Sequence, residues 1–288
     1  MSVAAKKRLL VVPANDAEAA MIIALARALK LPLWISSQPH GSNLDQEKGL
    51  VKKIKQEGLK EVFIVEMPGI KTEKKIRSLG AKLYIIDHHH YTNLNRAHDS
   101  ETGKLLPSSL EQFLFFFRLS DKRLQALGFD PRQVRAIGIM DRGFIWALEQ
   151  EGYSWKEIRS IIVFERKLLK EIGIYDKEKE KERERVAMEA WEKHTVWDRF
   201  CIVKNPTNLS IRSELSLLIG LSLKHRTSLI LYEPKRRAIY VQDCPYGMVL
   251  FEKFGGFTFG MDLNWGYKKE KNGKTIRLLD VKRVLKKI

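Results

Sequence analysis

The sequence predicts an α/β protein with an N-terminal parallel-sheet domain, a charged linker helix and a smaller α+β C-terminal domain. Three observations support this prediction. The first 90 residues alternate short apolar runs with amphipathic stretches, a block of alternating charges lies past the middle of the chain, and strand and helix patterns mix after it. Alternation of the first kind is typical of βαβ units around a parallel sheet. The length of 288 residues fits about two domains.

The strands of the predicted parallel sheet are four apolar runs near the N-terminus. They span residues 8–12, 32–36, 61–65 and 82–86. Three crossover helices are expected between them, at residues 17–29, 43–56 and 72–79. The second of these helices carries an apolar stripe of Leu50, Val51 and Ile54, which predicts one buried face.

After Pro107 the apolar residues recur every three to four positions, which indicates helices. The predicted helices span residues 108–119, 121–127, 131–149 and 154–173. The N-terminal domain is therefore expected to close with helices and to cover residues 1–175.

The block at residues 176–185 reads DKEKEKERER. Opposite charges are neighbours there at short helical spacing, which favours a solvated helix. We predict that this helix links the two domains over residues 176–196. A coiled-coil partner site is the alternative, but the apolar seam that it needs is missing.

The C-terminal domain is expected over residues 197–288 as a small α+β unit. Its predicted strands span residues 201–203, 228–232 and 238–242, and its predicted helix spans residues 213–224. A glycine cluster, FGGFTFG at residues 254–260, and a basic tail follow.

The composition excludes several classes of protein. With 44% hydrophobic and 30% charged residues, the chain has the composition of a soluble globular protein. No apolar run approaches the roughly 18 residues of a membrane span, and we expect a cytoplasmic protein without a membrane partner. The two cysteines, Cys201 and Cys244, have no metal-ligand spacing.

The net charge of +17 is large enough to attract polyanions. Residues 200–288 carry 17 basic and 7 acidic residues, so the C-terminal third is the most basic part. We expect the C-terminal third to bind a nucleotide or a short single-stranded nucleic acid. A lysine-rich surface that serves only solubility is the alternative.

Carboxylates and imidazoles follow four separate apolar segments of the chain. In open α/β sheets, ligands bind beyond the carboxyl ends of the strands, so side chains at these positions are candidates for a binding site. They are Asp16, Glu18, Glu66, His88, His89 and Asp141. Their convergence would bring hard oxygen ligands and one or two imidazoles to a common point, which suits Mn²⁺ or Mg²⁺ better than zinc. Ordinary helix caps and loop residues are the alternative for any one of them.

Five stretches in this order resemble the motifs of the DHH phosphoesterase family, and the resemblance covers most of the chain. The family includes RecJ-like exonucleases, oligoribonucleases, cyclic-dinucleotide phosphodiesterases and manganese-dependent inorganic pyrophosphatases. The stretches are NDAEA at 15–19, IVEMP at 64–68, DHH at 87–89, PSSLE at 107–111 and AIGIMDRGF at 136–144. The resemblance implies that residues 1–175 form a DHH-type metal-binding domain and residues 197–288 the substrate-binding domain that accompanies it.

The chain departs from the family pattern at several positions. Val12 stands where many members have a histidine, and Glu18 and Glu66 stand where they have aspartates. The glycine cluster lacks the histidine of the family's glycine signature, and Gln242 replaces an arginine that often precedes it. These departures concern the residues that would read the substrate.

The resemblance implies a site with two Mn²⁺ or Mg²⁺ ions. The implied metal ligands are Asp16, Glu18, Glu66, His88 and Asp141. Asp87 would orient an imidazole, and His89 would contact the phosphate or assist proton transfer. In the C-terminal domain, the basic residues Lys235, Arg236 and Arg237 could hold phosphates, and simple solvated charges are the alternative. Gly255 and Gly256, in the stretch that resembles the family's glycine signature, would let the backbone approach a phosphate closely, and a tight turn is the alternative.

The main hypothesis is therefore a metal-dependent phosphoesterase that hydrolyses a nucleotide or short oligonucleotide phosphodiester by a two-metal mechanism. The alternative is a catalytically inactive member that binds nucleic acid or a protein partner. A pyrophosphatase fits the metal site but not the substrate domain. Trp265 lies within the basic region and could stack on a base, whereas Phe257 and Phe259 are expected in the core.

Overall fold

The computed structural model describes residues 7–89, 107–260, 264–269 and 273–287. The chain forms two compact units. The first comprises Met1–His88, Pro107–Asp141 and Arg159–Tyr175, and the second comprises His89–Leu106, Arg142–Ile158 and Asp176–Ile288.

The first unit is built around a parallel sheet of four strands, as the sequence predicts. The strands are β1 (Arg8–Pro13), β2 (Leu33–Ser36), β3 (Glu61–Val65) and β4 (Lys82–Ile86). Their order in the sheet is β2-β1-β3-β4, and all three pairings are parallel. The side chains of β1 and β3 are almost wholly buried, which explains why these strands are continuous apolar runs in the sequence.

The helices near this sheet are α1 (Ala17–Ala28), α2 (Leu50–Glu57) and α3 (Ile70–Ser78). The single helix predicted over residues 43–56 is wrong. A 3₁₀ turn occupies Leu44–Gln46, and α2 begins only after Gly49, whose φ of 86° is left-handed. A helix cannot continue through such a residue, because its backbone hydrogen bonds require right-handed angles.

The predicted helical region after Pro107 is confirmed. It contains α4 (Ser109–Phe116), α5 (Asp121–Ala126), α6 (Pro131–Gln150) and α7 (Trp155–Glu171). Helix α6 is broken at Gly143 and Phe144, and Phe144 has φ 59° and ψ −155°. The division between the two units follows Asp141 in this helix.

The second unit contains a mixed sheet with helices on both faces. Its strands are β5 (Thr195–Trp197), β6 (Phe200–Lys204), β7 (Leu229–Glu233), β8 (Ala238–Gln242), β9 (Phe257–Phe259) and β10 (Asn264–Lys268). Their order is β5-β6-β7-β8-β10-β9. Only β6 and β7 pair in parallel among these strands.

Alternate residues of the central strands face two separate cores. Leu229 and Leu231 pack with α8 (Lys177–Glu192) and α9 (Arg212–Leu223), whereas Ile230 packs with α10 (Gly247–Phe254) and α11 (Leu278–Leu285). The charged segment is helical, as predicted, and its last turns contribute Val186 and Ala187 to the first of these cores.

The basic C-terminal segment is not a simple tail, contrary to the prediction. It contributes β10, which pairs with β8 and β9, and helix α11, whose Val281 and Leu285 are fully buried. Within the described residues, no helix has the length and apolar composition that a membrane crossing requires.

Candidate metal centre

Four side chains of the first unit bring possible ligand atoms within 4.8 Å of one another. They are Glu18, Glu66, His88 and Asp141. Glu18 lies in the first turn of α1, Glu66 directly follows β3, and His88 comes two residues after β4. Asp141 comes from α6. The segments that follow β3 and β4, the first turn of α1 and helix α6 thus supply the cluster.

His88 is at the centre of the cluster. Its Nε2 lies 3.0 Å from Asp141 Oδ2 and 3.3 Å from Glu66 Oε1. His88 and Glu18 are buried, Glu66 is half-buried and Asp141 is exposed. The cluster therefore opens to solvent on the Asp141 side.

The N-terminus of α4 holds two of the carboxylates in place. Ser109 Oγ donates to Glu66 Oε1 at 2.8 Å, and the backbone N–H of Leu110 donates to Glu18 Oε1, also at 2.8 Å. A capping box between Ser108 and Glu111 fixes this turn, because each side chain satisfies a backbone N–H of the other residue.

Helix α6 approaches the same turn closely at Gly138. A Cβ atom on this residue would lie 2.4 Å from Ser108 Oγ. Glycine is therefore required where α6 passes the start of α4 on its way to Asp141.

The backbone at Glu66 is also unusual. Its φ of 46° is in the left-handed region, which is uncommon for a residue with a side chain and is found often at functional sites. The Glu66 N–H donates to Ile86 O at the end of β4. This turn directs the carboxylate to the edge of the sheet instead of continuing the strand.

The electrostatics of the cluster favour a cation. Burial raises the pKa of Glu18 well above its ordinary value, and the charges of Asp141 and Glu66 raise it further. Burial alone would lower the pKa of His88, but hydrogen bonds to Asp141 and Glu66 raise it well above its ordinary value. In the absence of a metal, protons held by Glu18 and His88 therefore reduce the net negative charge of the cluster.

The residues of the cluster fit a divalent metal. Glu18 Oε2 is buried without a hydrogen-bond partner among the described residues, and such an atom is costly unless something satisfies it. Three carboxylates and one imidazole are a donor set for Mn²⁺ or Mg²⁺. A bound cation would supply the missing partner and relieve the repulsion between the carboxylates.

The other predicted residues of the first motifs lie outside this group of four. Asp16 caps α1, since its Oδ1 accepts from the N–H of Ala19 at 2.8 Å. The backbone of Asp87 is held at both ends by the side-chain amide of Gln112. His89 is exposed and belongs to the second unit. Within the described chain, Asp16 is outside the group of four converging side chains.

The predicted basic residues of the turn between β7 and β8 differ from one another. Arg236 donates through Nε to Glu233 Oε2 at 2.9 Å, and it also donates to Asn208 O. Arg237 takes a left-handed φ of 48°, and Lys235 is exposed. Arg236 therefore has an internal partner, the fully buried carboxylate of Glu233.

The two predicted glycines also differ. A Cβ on Gly256 would lie 2.4 Å from Gly266 O, whereas one on Gly255 would meet nothing within 4 Å. Gly256 is thus required by the close packing of β10. Trp265 is fully buried, and its indole N–H donates to Gly255 O at 2.8 Å, so the idea that it stacks on a base is wrong.

The roles of Ser109, Leu110 and Gln112 do not follow from the sequence. Only the serine-rich start of their helix stands out there, through its resemblance to the family. The spacing of Ser108 and Glu111 is the local signal for a helix start, but it does not reveal which carboxylates that helix start would contact.

Comparisons with known proteins place the chain near several solved structures. No protein-family model and no curated protein matches it. It is similar to a pGpG-specific phosphodiesterase, PggH, from Vibrio cholerae, with 12% identity, a TM-score of 0.43, and coverage of 97% of this chain and 96% of that one. It is also similar to exonuclease RecJ bound to manganese, with 14% identity, a TM-score of 0.45, and coverage of 96% and 89%.

A third similar structure comes from Methanococcus jannaschii and is described as a family II inorganic pyrophosphatase. It shows 14% identity, a TM-score of 0.27, and coverage of 96% of this chain and 99% of that one. At these identities and TM-scores, the likenesses support no conclusion about the substrate of this chain.

Proposed function

We propose that the protein is a metal-dependent phosphoesterase that hydrolyses a nucleotide or short oligonucleotide phosphodiester. The observation that carries the proposal is the convergence of Glu18, Glu66, His88 and Asp141, in which the buried Glu18 Oε2 has no hydrogen-bond partner among the described residues. Like charges repel when they are gathered in this way, so the arrangement has a cost unless a cation is bound.

Glu18, Glu66, His88 and Asp141 would hold the cation, and Asp16, the N-cap of α1, would be a further ligand. A bound Mn²⁺ or Mg²⁺ would polarise the phosphoryl group and lower the pKa of a water molecule. We expect two ions per chain. The donors at the start of α4 would keep Glu66 and Glu18 oriented, as partners of metal ligands usually do.

His89 and Asp87 would act beside the ligands. His89 is exposed, so its imidazole could contact a phosphate or transfer a proton to the leaving oxygen. The Gln112 amide fixes the backbone of Asp87 at the end of β4. Asp87 would thus be a positioning residue for the imidazoles that follow it.

The basic second unit would bind the substrate. Lys235 and Arg237 lie in the turn after β7 and would contact phosphate oxygens, which attract Lys and Arg regardless of sequence. Gly255 is open to close approach, because it has no side chain that would keep a phosphate away from the backbone.

A second candidate function is a binding protein without catalytic activity. Val12 is fully buried at the position where many family members have a histidine, and Phe257 packs against an apolar core within the glycine cluster that lacks its histidine. Both observations favour a chain that has lost groups needed for turnover and kept the binding surface.

The test measures hydrolysis of bis-p-nitrophenyl phosphate and of a short RNA in the presence of Mn²⁺. Asp141→Asn and Glu66→Gln should abolish turnover of both substrates and leave the fold intact, because each removes one ligand charge. Glu149→Gln is the matched control, since Glu149 lies exposed on the same helix as Asp141. Wild-type turnover in either ligand variant would refute the assignment, and no turnover in the wild type would favour the binding protein.

A further inference from the structure

Arg212 packs its guanidinium group against two aromatic rings of the second unit. It is the first residue of α9. Its guanidinium carbon lies 4.3 Å from the centre of the Phe259 ring and 5.7 Å from the centre of the Tyr240 ring. Cation–π contacts of this kind hold an arginine in one place.

The carboxylates that influence Arg212 have other partners. Burial lowers the pKa of Arg212, and the charges of Tyr240, Glu214 and Glu233 only partly offset this effect. Glu233 accepts from Arg236 at 2.9 Å, and Glu214 pairs with Arg183 at 3.5 Å. In the described part of the chain, no ion pair involves Arg212.

This arrangement leaves the hydrogen-bonding edge of Arg212 available. A guanidinium that stacks on a ring uses its flat face, and its five N–H donors lie in the plane of the group. They can bind two oxygens of a phosphate at once. The start of α9 has no side-chain cap, so the helix adds partial positive charge at the same place.

We propose that Arg212 is a phosphate-binding residue of the second unit and takes a phosphate group of a nucleotide ligand. The rings of Phe259 and Tyr240 pack against the guanidinium group, and its N–H donors face the ligand. The inference rests on the proposed function, which supplies the class of ligand, a nucleotide phosphate. Phosphate binding by Arg212 needs no metal, so it can be tested separately from hydrolysis.

Isothermal titration calorimetry on the full-length protein in EDTA tests this proposal. Adenosine 5′-monophosphate, adenosine and inorganic phosphate are the three titrants. We expect the wild type to bind the monophosphate at least tenfold more tightly than adenosine, and inorganic phosphate to compete. Arg212→Met should remove this preference, because it keeps much of the side-chain length but has no charge.

Arg283→Met is the matched control, since Arg283 is an exposed arginine of the second unit, on α11. It should keep the preference. Arg212→Gln is a second neutral variant in case the first one folds poorly. The melting temperature of the neutral variants should stay at or above that of the wild type, because an unpaired charge is removed from a partly buried place.

A wild type that does not distinguish the monophosphate from adenosine would overturn the proposal. A preference for the monophosphate that persists in Arg212→Met and Arg212→Gln would also overturn it. If these variants keep the preference but melt at a lower temperature than the wild type, the role of Arg212 is in folding alone. Absence of hydrolysis by the manganese-loaded wild type would count only against the phosphoesterase, because the calorimetry uses metal-free protein.

Discussion

Ser109 Oγ donates a 2.8 Å hydrogen bond to Glu66 Oε1, although the two residues are 43 positions apart in the chain. The bond joins the start of α4 to the turn after β3. Glu66 also has a left-handed φ of 46°, so both its backbone and its carboxylate are constrained. A candidate metal ligand is thus oriented before any metal binds, which lowers the entropy cost of binding.

We predict that Ser109→Ala weakens Mn²⁺ binding about 10- to 100-fold, the usual effect of removing a partner of a metal ligand. Metal-free stability should fall by only about 1 kcal/mol, since one hydrogen bond is removed. Calorimetric titration with Mn²⁺ measures the first quantity and urea unfolding the second. Ser78→Ala is the control, because Ser78 is an exposed serine away from the cluster. Equal Mn²⁺ affinity in the wild type and Ser109→Ala would contradict the role of Ser109.

Millimolar Mn²⁺ should raise the melting temperature, and EDTA should reverse the rise. A ligand that binds only the folded state at 100 times its dissociation constant stabilises that state by about 2.7 kcal/mol. Glu18→Gln removes one charge and should reduce the effect. Thermal unfolding followed by circular dichroism provides the measurement. A melting temperature that neither Mn²⁺ nor EDTA changes would speak against a preformed metal site.

The stability of the metal-free protein should fall as the pH rises. The folded-state pKa of Glu18 is raised above 4.5 and that of His88 above 6.5. Each group therefore contributes stability that is present below its unfolded pKa and disappears as the pH rises through its folded pKa. Mn²⁺ replaces these protons, so the stabilisation by Mn²⁺ should grow with pH.

Urea unfolding with and without Mn²⁺ at several pH values between about 5 and 8, where folded proteins are usually most stable, checks this dependence. Glu18→Gln should make the pH dependence shallower, because it removes one of the two groups with a raised pKa. A stabilisation by Mn²⁺ that shrinks as the pH rises would show that protons and metal do not compete at this cluster.

The sequence is most informative where the local pattern matches the final environment. It predicts strand β3, Glu61–Val65, to the residue, since an apolar run between polar residues can be buried on both faces. The helix predicted at 43–56 is wrong because one left-handed residue, Gly49, interrupts it. Strand β10 has no clear sequence signal because Trp265 and Tyr267 are isolated among polar residues, and pairing with β8 and β9 supplies the rest.

The candidate metal centre shows the same limit. The carboxylates and His88 can be selected from the sequence because each follows an apolar segment. Their bonds with Ser109 and Leu110 cannot, because these depend on where α4 docks against the sheet. Arg212 has no motif around it, and only the rings of Phe259 and Tyr240 distinguish it from a solvated arginine.

Gly138→Ala should destabilise the protein and weaken Mn²⁺ binding together. The new Cβ would lie 2.4 Å from Ser108 Oγ, so either α6 or the start of α4 must move. Overpacking of this kind costs typically about 1–3 kcal/mol. Urea unfolding and Mn²⁺ titration of the same variant measure both effects.

The double variant with Ser108→Ala provides the control for Gly138→Ala. Ser108→Ala alone should cost about 1 kcal/mol, because it removes the cap of α4. Removing the hydroxyl also removes the clash, so the double variant should be less damaged than the sum of the two singles. Strict additivity would mean that the Ser108 hydroxyl is not what Gly138 accommodates.

The last prediction separates the three basic residues of the turn between β7 and β8. Arg236→Ala should lower stability by about 1–3 kcal/mol, because it takes a charged partner from a buried carboxylate. That carboxylate, Glu233, keeps its bonds from Asn205 and the Ile211 N–H, which limits the destabilisation. Lys235→Ala with Arg237→Ala should leave stability within about 0.5 kcal/mol, as is usual at the surface.

The same double variant should weaken the binding of a single-stranded oligonucleotide. If both residues bind phosphates, the slope of log affinity against log salt should become shallower by about 0.7 for each phosphate that is no longer bound. Fluorescence anisotropy at several salt concentrations measures the slope. Arg236→Ala should leave this slope unchanged, because its guanidinium is already bound to Glu233 and Asn208. An unchanged slope in the double variant would remove Lys235 and Arg237 from the proposed phosphate-binding residues. A shallower slope in Arg236→Ala would show that the ion pair with Glu233 opens when nucleic acid binds.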